Sequence, residues 1–143
     1  MSELTAADGH AESQLHAAAW AGSVRGVARV LDAGFDVNWR DSIGETALFG
    51  AVAWARTEVV ELLLARGASV GLQNDAGWSP LHWAASHGGP AMIELLVAHG
   101  ADPEQTDAAG RRPIDLARQS GNGDRVAKLK AVMAQHRAKR PLG

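Results

Sequence analysis

The chain has 143 residues, a formal net charge of −2, 46% hydrophobic and 21% charged residues. That suffices for one domain with a real core, and no overall field draws it toward nucleic acid or a membrane surface. It has no cysteine, which excludes disulfides, thiolate chemistry and cysteine-rich zinc sites. The start, Met1 to Gly9, has no basic residue and no apolar run, and no stretch approaches the ~18 apolar residues of a membrane span. The expected location is the cytoplasm. Two features of composition need a cause: 16 glycines, and 5 tryptophans beside no tyrosine.

A period organises the chain. Gly44, Gly77 and Gly110 recur at one constant step, as do Gly34, Gly67 and Gly100, and again Leu15, Leu48, Leu81 and Ile114. A repeat of this length marks units that cannot bury their apolar faces alone and must stack. In chain order, residues 1–11 are expected to be disordered. Residues 12–40 form a first repeat without a leading turn. Residues 41–73 and 74–106 are the full units. Residues 107–136 close the array, and 137–143 are expected to be a flexible tail.

Each full unit reads as turn, helix, helix and extended link. Gly44 and Gly77 supply the positive φ of a tight turn. Ser79-Pro80 predicts a helix start, with serine as the cap and proline at the first helical position; Thr46-Ala47 is a weaker copy. The first helix carries Leu48, Ala51 and Val52, or Leu81, Ala84 and Ala85. The second carries Val59, Val60, Leu62, Leu63 and Leu64, or Met92, Ile93, Leu95, Leu96 and Val97, and is apolar over much of its surface. Gly67 and Gly100 end it as left-handed caps. At the ends of the array glycine or charged residues replace apolar ones: Gly26 and Arg29 in the first repeat, and Arg118, Arg125 and Lys128 in the last. This is the outer face a finite stack needs.

Ser79-Pro80-Leu81-His82-Trp83-Ala84-Ala85, followed by the run from Glu94 to Asp102, resembles the ankyrin repeat signature. So do Val59 to Ala68, Asp36-Val37-Asn38 and the closing Arg112-Pro113-Ile114-Asp115-Leu116-Ala117. The resemblance covers roughly residues 12 to 136 and implies an all-α solenoid of about four helix-turn-helix units joined by β-hairpin-like turns. Phe49 stands where the motif has histidine and Ala55 where it has glycine. Pro90 falls between the helices of the third repeat.

The resemblance also implies a function: binding a protein partner on a concave face built from turn tips and the exposed side of each first helix. Here those positions hold Trp20, Trp54, Ser86 and His87 on the helices, and Ser42, Ile43, Glu45, Asp75, Trp78 and Arg111 on the turns. Trp20, Trp54 and Trp78 are the expected anchors, tryptophan being the residue most enriched at binding hot spots. Trp39 and Trp83 are read as structural, and His16 and His82 as the repeat's structural histidines.

No catalytic nucleophile, base and orienting acid can be assembled from the sequence, and no metal or cofactor site is expected. Ser86-His87-Gly88-Gly89-Pro90 lacks the lysine of a phosphate loop. The chain is therefore read as a non-catalytic adaptor or inhibitor. A second reading pairs the tryptophan face with itself, so that the chain is a monomer or a weak homodimer. A third, less favoured, uses the basic run from Arg125 to Arg140 on nucleic acid.

Overall fold

In a computed structural model the described residues are 10–139. They form eight α-helices and, among those residues, no strand. The helices are α1 (His10–Ala21), α2 (Val24–Asp32), α3 (Ala47–Ala53), α4 (Thr57–Ala65), α5 (Pro80–His87), α6 (Pro90–Ala98), α7 (Pro113–Gln119) and α8 (Gly123–Lys139). The expected disordered segment 1–11 lies outside the described residues up to the start of α1. The expected flexible tail begins inside α8, which runs to Lys139, and its remainder lies outside them.

The chain divides into two compact units, Met1–Ser69 and Val70–Gly143. In the first, α1 packs on α2 and α3, and α4 on α2 and α3. Its core is Leu15, Ala19, Val27, Val30, Leu48, Phe49, Val52, Val59, Val60 and Leu63, all at or near full burial. In the second, α5 packs on α6 and α7, and α8 on α6 and α7, around Leu81, Ala84, Ala85, Ile93, Leu96, Ala117 and Leu129. Small residues on α3 and α5 let the partner helices approach closely, as the alanine pattern predicts.

One loop recurs three times, and it is the β-hairpin-like turn that the resemblance implies, without flanking strands among the described residues. Asp41, Asn74 and Asp107 open it. Asp41 Oδ1 accepts from the N–H groups of Ile43 (3.0 Å) and Glu45 (2.9 Å). Asn74 Oδ1 accepts from Ala76 and Trp78, and Asp107 Oδ1 from Ala109 and Arg111. In each copy the backbone N–H of the opening residue donates to the carbonyl four residues on. A short acceptor side chain thus satisfies donors that a strand ladder would otherwise have to take.

Gly77, in this loop at φ +79°, is held by more than its torsion. A Cβ there would collide with the backbone of Ala108, whose N–H donates to the Ala76 carbonyl at 3.1 Å. Only glycine permits that approach.

The helix starts differ as the residues predict. Ser79 accepts from the His82 N–H, and His82 Nδ1 accepts from the Ser79 N–H at 3.1 Å, closing a capping box. Thr46 makes no side-chain cap. Ala55, where the motif has glycine, adopts φ 54°, a left-handed conformation costly to a residue with a Cβ. In the third repeat α5 runs to His87, with Gly88 and Gly89 both in extended backbone. Pro90 takes the first position of α6, where its missing N–H costs nothing.

Candidate functional site

The expected anchors separate into two kinds. Trp20 at the end of α1 and Trp54 at the end of α3 are 58% and 54% exposed. Their rings meet edge to face with centroids 5.5 Å apart, a favourable aromatic geometry. Gly50 makes room for this: a Cβ there would stand 3.2 Å from Trp20 Cδ1. Arg56 donates its Nε–H to the Trp20 carbonyl at 3.1 Å and lines the cleft that the two rings form with Ala17 and Ala21. Ile43, on the turn tip of the same unit, is 54% exposed. Ser42 is exposed beside it, while Glu45 is only half-exposed.

Trp78 is half-buried. It stacks on His82 (6.3 Å) and meets Trp83 edge to face (5.1 Å), and Trp83 in turn lies 5.1 Å from His87. The ring expected as a surface anchor is one rung of an aromatic ladder inside the second unit. Its sequence column places it at a turn tip, but the column cannot show that Trp83 and His82 reach up to meet it. Asp75 and His87 are exposed and Ser86 is half-buried.

Arg111 is turned onto its own loop. Its Nε donates to Asp107 Oδ2 at 2.9 Å, and its Nη1 reaches Gln119 Oε1 at 3.5 Å. The Asp107 side chain is fully buried. Burial opposes its charge, but hydrogen bonds from the Arg111 N–H and guanidinium and from the Ala109 N–H prevail, so its pKa falls below the usual carboxylate range.

The two structural histidines make the same bond. His16 Nε2 donates to the Glu45 carbonyl (2.8 Å) and His82 Nε2 to the Arg111 carbonyl (2.9 Å). His82 is fully buried; burial lowers its pKa, outweighing the help of the Arg111 carbonyl and the Asp107 charge. Trp39, read as structural, is half-buried with its ring edge to face with His16 at 5.1 Å.

The basic C-terminal helix is tied to acids of the third repeat. Lys128 pairs with Glu94, His136 with Asp102 and Arg137 with Glu104. Arg125, expected on an outer polar face, donates to the carbonyls of Ala85 and Ser86 instead. Sequence spacing reveals the cations of this helix but not these partners, which lie 33 to 40 residues back.

No group of three or more His, Asp or Glu side chains among the described residues could hold a metal ion, and no helix there is long and apolar enough to cross a membrane. Residues 15–107 and 57–134 match the family model described as ankyrin repeats (3 copies). No curated protein matches the chain.

Proposed function

The chain belongs to the ankyrin repeat family, and from that premise we propose that it is a non-catalytic adaptor or inhibitor that docks a protein partner through the face carrying Trp20 and Trp54. Proteins of this family generally serve as protein–protein interaction modules. The observation that carries the reading is the exposed tryptophan pair. Two indoles in edge-to-face contact, each more than half exposed, leave apolar area in water at a cost of ~25 cal/mol per Å². A partner that covers them recovers that free energy. The rings are also pre-positioned, which lowers the ordering cost of binding. Ile43 and Ser42 extend the same unit's contact surface, and Asp75, Ser86 and His87 are the corresponding exposed or half-exposed positions of the second unit.

The test is affinity capture from the source cells by wild type and by a Trp20→Ala, Trp54→Ala variant shown to be folded by circular dichroism. Retention by wild type and loss of at least tenfold in the variant supports the reading, since central tryptophans dominate interface energy. Equal retention of the same protein contradicts it. A wild type whose mass in solution doubles with concentration, while the variant stays monomeric, assigns the face to self-association instead.

A further inference from the structure

Beside Trp20 lies a pocket of about 280 Å³ whose walls include His16, Trp20, Asp41, Glu45, Thr46 and Gly50. Resting on the reading that the Trp20–Trp54 face docks a protein, we propose that this pocket receives a basic side chain of the partner, an arginine, with its guanidinium against the Trp20 ring and the Asp41 carboxylate.

The molecule contains its own precedent. Sixty-six positions along the chain, Asp107 stands in Asp41's place, Arg111 in Glu45's and His82 in His16's. The loops make the same backbone bonds, and both histidines donate to the loop's last carbonyl. In the second unit the carboxylate's outer oxygen is taken by the Arg111 guanidinium at 2.9 Å. In the first unit the carboxylate is kept and the arginine is replaced by a second acid. Asp41 Oδ1 is committed to the loop N–H groups. Oδ2 lies 3.9 Å from His16 Nε2, whose own hydrogen goes to the Glu45 carbonyl.

Thr46 also lines the pocket. Thr46 is 1% exposed, and its hydroxyl has no hydrogen-bond partner among the described residues. The cause is local: Ser79, one repeat on, shares its hydroxyl with His82, whereas the residue three after Thr46 is Phe49, which offers no nitrogen. A buried hydroxyl without a partner is costly, which marks this wall as less completely satisfied than its counterpart at Ser79.

The remaining wall favours a flat cation. Gly50 lacks the Cβ that would crowd the Trp20 ring, and a guanidinium stacks on an indole face more favourably than an ammonium ion does. Arginine also presents several donors in a plane, which suits the Asp41 carboxylate. The chain's own Arg56 is held by the Trp20 carbonyl and lines the neighbouring cleft, not this pocket. The volume suits one side chain.

The experiment is an NMR titration of the full ¹⁵N-labelled chain with N-acetyl-arginine methylamide, its lysine counterpart and the neutral isostere N-acetyl-citrulline methylamide. Saturable shifts are expected at the Trp20 indole N–H and the Thr46 amide with the arginine probe, at least fivefold weaker with citrulline. Asp41→Asn should weaken arginine binding at least fivefold and stay folded, because Asn74 makes the same loop bonds. Equal binding of citrulline, an unchanged affinity in Asp41→Asn, or shifts confined to other residues would each overturn the proposal. Capture of the partner separates this from the docking reading. Tryptophan-dependent capture without arginine binding sinks the pocket alone, whereas tryptophan-independent capture sinks the docking face.

Discussion

The loop that opens at Asp41 and the loop that opens at Asp107 share a backbone but resolve their charge in opposite ways. In the second unit Arg111 neutralises a buried carboxylate, and Trp78, His82, Trp83 and His87 stack into a ladder. In the first unit the positions of Asp107 and Arg111 hold two acids, Asp41 and Glu45, and elsewhere in that unit lie a buried hydroxyl without a hydrogen-bond partner among the described residues and a pair of exposed tryptophans. One scaffold bond, from histidine Nε2 to the loop carbonyl, is common to both. The difference teaches that the fold's requirements end at the backbone of this loop. Where the loop ends in arginine, its guanidinium pairs with the buried aspartate, and where it ends in glutamate a second acid stands in that place.

The largest effect should come from imposing the first unit's residue on the second. Arg111→Glu places a carboxylate against buried Asp107 and is expected to cost about 2–4 kcal/mol, the range for breaking a buried pair reduced for the partial exposure of Arg111. Urea denaturation measures it, and a loss below 0.5 kcal/mol would show that the pair is not holding the loop.

His82→Phe copies the Phe49 solution into the second unit and should cost about 2–3 kcal/mol, because the Ser79 N–H and the Arg111 carbonyl both lose a buried partner. The same residue makes stability depend on pH. Its folded pKa lies below its unfolded value, so the unfolded chain binds the proton more readily. The stability His82 contributes is present above the unfolded value of about 6.5 and is lost as pH falls through the folded pKa. Melting followed from pH 7.5 to 5.0 should show this decline in wild type and a shallower one in His82→Phe.

Glu45→Arg supplies the first unit with the cation the second already has. A stability gain of no more than about 1 kcal/mol is expected, since the pair forms near the surface. Binding of the arginine probe should fall at least fivefold as the new guanidinium fills the pocket. Ala55→Gly is the smallest change. Relief of a left-handed alanine, offset by the added freedom of the unfolded chain, should raise stability by about 0.5–1 kcal/mol in thermal or urea melts.

Most of the architecture is legible in the period alone. The paired helices, the glycines at positive φ, the Ser79-Pro80 start and the substitutions at Phe49 and Ala55 all follow from residues a constant step apart. What the period hides is contact between columns. It places Trp78 and Trp20 at comparable surface positions, yet Trp83 and His82 cover one while Gly50 exposes the other. It marks Arg111 as a turn-tip residue but not its turn toward Asp107. The loop acceptors Asp41, Asn74 and Asp107 were visible at the same step, and short acceptor residues opening a glycine turn are the signal that identifies them. The hairpin-like turns are closed by these side chains as well as by their backbone bonds for that reason.

The central claim is that the partner lies on Trp20 and Trp54. A photo-crosslinking residue placed at position 54, and in a separate variant at the exposed Glu61 of α4, tests it in the source cells. A covalent adduct with one foreign protein at position 54 and none at 61 is the predicted result. An adduct at 61 but not at 54, or an adduct at 54 only with a second copy of this chain, would contradict it.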